Sequence, residues 1–369
     1  MNTTQGKTGQ MTMGPRNGNG VSRHTPLSLE ERLANSILPR KAFEVYGQTG
    51  ETPITCTPEV IEVADTYLDK NGIDKTKKDD KTQWDIFWAR EMIAAKIVIA
   101  DRGITYREYL PGRHFMYDLL ADSIISLLNS NGNNGNLNDR RIAEFGGGSG
   151  IGLISLAQRG AHVTNLDSSK MALDFSKYLA EHHKVENMLS RIEGNFYDAP
   201  FGKDEFDVVY NAGVLEHLDD TQAEKLLREM TSATKPGGYV VVAIPNENSP
   251  FYKGLQKKER DIYKQFRKIF VRLPWEETRR TFDFRQLMGA VDLTFVKEDG
   301  LLIPPSEKVK TKDITKEDIT IFEKYLSPDP YQSVDSAISN WRGFHGSVDA
   351  SFRRKYGWSI YAVGQKKAA

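Results

Sequence analysis

Arg141-Ile142-Ala143-Glu144-Phe145-Gly146-Gly147-Gly148-Ser149-Gly150 changes character halfway along its length. Residues 141–145 read as a short strand, and residues 150–159 read as a helix. Glycines carry the chain from one to the other. Such a junction presents backbone N–H groups at a helix N-terminus, and residues without a Cβ let the chain turn tightly and a ligand come close. Alone, the pattern is a weak sign. Gly-x-Gly-x-x-Gly turns also mark nicotinamide and flavin sites, and some are only structural.

Working outward, the same rhythm repeats. Strands are expected at 162–166, 190–195, 206–210 and 239–244, with helices at 169–181 and 221–234. Lys235-Pro236-Gly237-Gly238 reads as the turn before the 239–244 strand. A helix at 284–290 and strands at 295–303 and 358–365 complete the series. Strands alternating with helices at this spacing predict parallel βαβ units in an α/β, open, doubly wound sheet.

The rest of the chain divides by composition. Residues 1–26 are rich in Gly, Asn, Thr and Gln and have little to bury, so a disordered tail is expected. Residues 27–130 show helical spacing, with Trp84, Phe87, Trp88, Met92 and Ile97 in one run and Phe115, Leu119, Ile124 and Leu127 in another. They are read as an N-terminal helical cap. The Asn- and Gly-rich stretch from Asn131 to Asn136 links it to the main domain, 131–369, which has helical insertions at about 246–280 and 304–355. The chain has 369 residues, and 50 basic residues balance 50 acidic ones, which argues against a surface built to grip nucleic acid. Cys56 is the one cysteine, so a reducing, cytoplasmic compartment is expected. No apolar run is long enough to span a bilayer, and no His/Asp/Glu grouping has metal-ligand spacing, so no metal is expected.

The segments after the glycine turn narrow its meaning. Asp167 ends the second strand, with Ser168 behind it, where a carboxylate can accept hydrogen bonds from ribose hydroxyls. Gly194-Asn195-Phe196 comes after the third strand. The strand Phe206-Asp207-Val208-Val209 runs on into Asn211-Ala212-Gly213-Val214-Leu215-Glu216-His217-Leu218. In this order, with Lys235-Pro236-Gly237-Gly238 behind them, these segments resemble the class I S-adenosylmethionine-dependent methyltransferases, small-molecule branch, over about 142–246. The resemblance implies a seven-stranded, mostly parallel sheet whose last strand is antiparallel. It implies that Glu144, Gly146, Gly147, Gly148 and Gly150 pass close to the methionine part of S-adenosyl-L-methionine, that Asp167 and Ser168 hold the ribose, that Asn195 and Phe196 lie along the adenine, and that Asn211 and Ala212 contact the cofactor amino group. The family often has Asp where this chain has Asn195.

Methyl transfer from a sulfonium is a direct displacement, so the protein must align the acceptor, remove its proton where needed and exclude water. His217, beside Glu216, is the first candidate base, against the plainer reading that it packs or caps a helix. His114 is the second, and Arg113 is a candidate partner for the cofactor carboxylate, although both fit an ordinary polar loop. The stretch 252–280 is basic with an apolar stripe through Ile262, Phe266, Ile269, Phe270 and Leu273, which reads first as a lid helix. Trp341-Arg342-Gly343-Phe344-His345 reads equally as a ring-binding segment or as packing. The expected activity moves a methyl group to O, N or C of a small metabolite, leaving S-adenosylhomocysteine. The alternatives are a methyltransferase that reaches a macromolecule or lipid through 252–280, a noncatalytic cofactor-binding subunit, or a nicotinamide enzyme. The oligomeric state stays open, a homodimer included.

Overall fold

The computed structural model describes residues 57–103, 105, 111–129, 136–250, 252, 282–302, 314–325 and 334–368, with backbone alone at 101, 102, 111–113, 323–325, 334, 335 and 337. The expected tail at 1–26, the start of the cap and the basic stretch 253–280 lie outside the described residues.

Among the described residues, three helices precede the sheet: α1 (Pro58–Lys70), α2 (Asp80–Arg102) and α3 (Pro111–Asn129). Their limits follow from local chemistry. Thr57 accepts from the Val60 amide and Pro58 opens α1. Asp79 accepts from the Thr82 amide to start α2, and Gly103, at φ 62°, ends it in the left-handed conformation.

The sheet then builds through β1 (Arg141–Phe145), α4 (Ile151–Ala157), β2 (His162–Asp167), α5 (Lys170–His182), β3 (Leu189–Glu193), β4 (Phe206–Ala212), α6 (Asp220–Ala233) and β5 (Thr234–Pro245). It ends with α7 (Phe284–Gly289), β6 (Leu293–Leu301), α8 (Lys316–Tyr325), α9 (Val334–Ser347), α10 (Ala350–Tyr356) and β7 (Ser359–Lys366). The strand order is β3-β2-β1-β4-β5-β7-β6. Strands β1 to β5 pair in parallel, and β7 runs antiparallel to both β5 and β6. The doubly wound α/β expectation is met, with the last strand inserted inside the sheet. One local expectation changes. The Lys235-Pro236-Gly237-Gly238 stretch lies within β5, as an irregularity between the Phe206–Thr234 and Val208–Tyr239 pairings.

Each face of the sheet carries its own core. On one face Ile142, Val208 and Tyr210 pack with apolar residues of α1 to α5 and with Trp341, Phe344, Phe352 and Tyr356 from the C-terminal helices. On the other, Phe145, Val209 and Val242 pack against α6 and α7. The helices before β1 therefore share a core with the sheet. The second insertion has the expected helical character, but Trp341 and Phe344 are buried in that core, so their aromatic density serves packing. Arg353 donates to both carboxylate oxygens of Asp299, at 2.8 and 2.7 Å, fixing α10 on β6.

Candidate functional site

At the head of β1 the chain turns through Gly146, Gly148 and Gly150, whose φ values are 73°, 53° and 67°, a region that side chains disfavour. The space a Cβ would take is filled by protein: Val214 at Gly146, Asn165 and Glu144 at Gly147, Trp88 at Gly148 and Ser176 at Gly150. Backbone conformation and packing already demand these glycines before any ligand does. The Gly146 amide donates to the Leu166 carbonyl at 2.7 Å, closing the turn over β2.

Asp167 sits at the end of β2 and organises this turn. Its Oδ2 accepts from the Gly148 amide and its Oδ1 from the Ser169 amide, both at 2.8 Å. Burial pushes its pKa up to about 6 against the pull of those amides. Beneath the turn Glu144 is buried and accepts from the Tyr210 hydroxyl at 2.8 Å. Burial drives its pKa well above the usual carboxylate range, and its Oε1 has no hydrogen-bond partner among the described residues. Asn165, also buried, donates to the Gly148 carbonyl at 3.0 Å and to Ser176 at 3.2 Å.

The other expected site residues lie along the strand ends. Asn195 is exposed, and its Oδ1 accepts from the Tyr197 amide at 2.9 Å, so its side chain caps its own turn. Phe196 is half-buried, 4.5 Å from the Tyr197 ring. Asn211 is buried, donating to the Phe145 carbonyl at 2.5 Å and accepting from the Leu215 amide at 3.2 Å, which locks the end of β4 to β1. Beyond it Gly213 is exposed, and Ala212, Gly146, Gly147, Asp167 and Ser168 are partly exposed. Glu216 is buried, and its Oε1 lies 3.8 Å from Nε2 of the half-buried His217.

The structure also places His114 and His345. His114 is buried, and its ring lies 6.1 Å from that of His183, which ends α5. A helix of 13 residues is about 20 Å long, which puts His183 far from the Asp167 end of α5, where Ser169 caps its start. Helix α3 therefore packs the His114 ring against that end of α5. Arg113 has its backbone in α3, and its side chain lies outside the described residues. His345 lies 3.1 Å from the Gly300 carbonyl, and burial, helped by Arg353, pulls its pKa down to about 4. It serves the packing of α9 on β6.

Sequence reasoning missed that α2 meets the glycine turn. Trp88 lies directly on Gly148, stacks with Trp84 at 6.4 Å and packs on Phe175 at 6.3 Å. Asp85, one turn earlier, accepts from the Ser169 hydroxyl at 2.6 Å. Helical spacing placed these residues on one helix, but nothing local tied that helix to a turn 60 positions later.

Beyond Ala212 and Gly213 a cavity opens at the ends of β4, β5 and β6 and the start of β7. Met116, Tyr117, Ala243, Tyr252, Leu301 and Trp358 line it, and its surface is overwhelmingly apolar. Among the described residues no group of three or more His, Cys, Asp or Glu side chains is placed to hold a metal ion, and no helix is long and apolar enough to cross a membrane.

Residues 143–242 match the methyltransferase domain family model. The ubiquinone biosynthesis O-methyltransferase of Aeromonas salmonicida is 34% identical over 118 residues, 32% of this chain and 48% of that protein. The cypemycin N-terminal methyltransferase of a Streptomyces species is 34% identical over 104 residues, 28% of this chain and 40% of that protein. The chain thus spans less than half the length of these relatives. A solved structure of geranyl diphosphate C-methyltransferase from Streptomyces coelicolor A3(2) overlays with a TM-score of 0.40 at 14% identity, covering 67% of this chain and 78% of that one.

Proposed function

We propose that this chain, which carries a class I methyltransferase domain over residues 143–242, binds S-adenosyl-L-methionine across the ends of β1 to β4 and passes its methyl group to a small, largely apolar acceptor in the adjoining cavity. The observation that carries this reading is the continuity of the two surfaces. Gly146, Gly147, Asp167, Ser168, Phe196, Ala212 and Gly213 form a partly exposed row along four strand ends, and Ala212 and Gly213 also line the cavity.

The residues present fit the cofactor. Asp167 keeps acceptor capacity beyond its two amide bonds, since an ionised carboxylate has about four lone-pair sites. Phe196 offers a half-buried ring face for a base. Unpartnered Glu144 Oε1 lies just beneath the turn, and the backbone of Ala212 and Gly213 closes the row. When bound, the cofactor supplies a methyl group already activated by positive sulfur.

The chain's own residues then have limited tasks. Asp167 orients the ribose. The apolar lining of the cavity excludes water and holds the acceptor in line. His217, set by Glu216 just past Gly213, takes a proton from an acceptor that carries one. The scarcity of polar surface in the cavity favours a neutral acceptor, because an unpaired charge there costs desolvation.

Calorimetry with S-adenosylhomocysteine and transfer of labelled methyl to a panel of neutral small molecules test the reading. Asp167→Ala is expected to weaken binding by about 1–3 kcal/mol. Ala243→Phe, which fills the cavity, is expected to abolish transfer while cofactor affinity holds. Absence of binding by the wild-type chain, or full transfer by Ala243→Phe, would sink it.

A further inference from the structure

One face of α2 meets the cofactor side of the sheet at three successive turns. Lys81 pairs with Glu193, the last residue of β3, at 2.8 Å. Asp85 accepts from the Ser169 hydroxyl at 2.6 Å and from the Met171 amide at 3.2 Å. Trp88 covers Gly148. Residues at i, i+4 and i+7 share a helix face, so one rigid element touches the third strand end, the second strand end and the glycine turn together.

Ser169 is the hinge of this contact. Its hydroxyl donates to Asp85, and its amide donates to Asp167 at 2.8 Å. A hydroxyl has one hydrogen, so Asp85 fixes how the serine is turned, while the serine oxygen accepts from the Ala172 amide to cap α5. Two carboxylates, one on the N-terminal helix and one at the ribose position, are therefore joined through a single residue.

We propose that Asp85 is a positioning residue for cofactor binding: through Ser169 it sets the orientation and charge state of Asp167, and with Trp88 it makes this face of α2 the outer wall of the cofactor site. The inference rests on the assignment of Asp167 to the cofactor made above. The charges facing Asp167 agree with it. Asp85 approaches from α2, with Lys81 one turn away, Glu144 lies on β1 bonded to Tyr210 of β4, and Glu193 on β3 is neutralised by Lys81. Burial raises both Asp85 and Asp167, and the Asp85 charge makes Asp167 hold its proton more tightly still. A protonated Asp167 has a weaker grip on the Gly148 and Ser169 amides and on a ribose, so affinity falls as pH drops through its pKa. Asp85 sets where that fall occurs.

The test is S-adenosylhomocysteine affinity of the full chain from pH 5 to 8, measured by calorimetry. In the wild type, affinity is expected to fall as pH drops through about 6. Asp85→Asn keeps an acceptor for Ser169 but removes the charge, and it is expected to move the midpoint down by ~0.5 pH unit or more. A role confined to packing would lower stability and leave the midpoint alone, so an unchanged midpoint overturns the proposal. If Asp85→Asn does not fold, Lys81→Met reads the same field with opposite sign: its midpoint is expected to rise, and a fixed midpoint overturns the proposal. No binding by the wild type at any pH defeats instead the cofactor assignment on which the proposal stands.

Discussion

Tyr210 and Glu144 form a buried pair beneath the glycine turn, and the hydroxyl is the only donor the carboxyl group has among the described residues. Tyr210→Phe strands that oxygen and is expected to cost about 1–3 kcal/mol in denaturant unfolding at pH 7. Glu144→Gln keeps an acceptor for the Tyr210 hydroxyl, so its cost is expected to stay below about 1 kcal/mol. The sign of the pH effect follows from the raised pKa. The folded state holds the Glu144 proton more tightly than the unfolded chain, so the stability tied to that proton is fully present below the usual value of 4.5 and is lost as pH rises through the folded one. His217 belongs to the same scale. Its replacement by Asn is expected to lower kcat roughly 100-fold for acceptors that must lose a proton, while S-adenosylhomocysteine affinity stays unchanged. Equal kcat in both proteins would return the histidine to a packing role.

At the scale of elements, helix ends hold the site as much as strand ends do. Helix α6 begins with a capping box: Asp219 accepts from the Gln222 amide at 2.8 Å, and Gln222 returns a bond to the Asp219 amide at 3.0 Å. The segment Leu215–His217 is the last stretch before that cap, so the cap fixes where Glu216 and His217 stand. Asp219→Ala is expected to cost ~1 kcal/mol and to lower kcat alongside it, read in a melting curve and in labelled transfer. A stability loss with full turnover would show that the cap does not place His217. The C-terminal side is held in a similar way. Asn246, just past β5, donates to the Arg354 and Gly357 carbonyls at 2.6 and 2.9 Å, and this fixes the start of β7 at the rim of the cavity.

Among the described residues, the helices before β1 share buried clusters with the sheet and its helix α5. Met171 and Phe175 of α5 are fully buried, and Leu68, Ile86 and Ala89 from α1 and α2 complete the cluster around Met171. Tyr67 of α1 donates to Asp174 at 2.9 Å. A chain starting at 104 would expose that surface, at roughly 1.5–3 kcal/mol for each large apolar side chain uncovered. Such a truncation is expected to fail to give a cooperative unfolding transition. A sharp transition with native-like stability would show that α1 and α2 are dispensable to the core.

The sequence by itself determined what neighbouring residues decide. Alternating apolar runs and the glycine turn after β1 gave the parallel order of the first five strands, because strand periodicity, glycine conformation and helix caps act over a few residues. Asp167 was legible for the same reason, as an acidic residue at a strand end. The tertiary structure alone decided what lies on those residues. It put Trp88 on Gly148, Asp85 on Ser169 and His114 beside His183, buried Trp341 and Phe344, and opened the cavity between β4, β5 and β7. These pairings join residues tens to hundreds of positions apart. They depend on how whole elements bury their apolar faces together, and no local pattern carries that information.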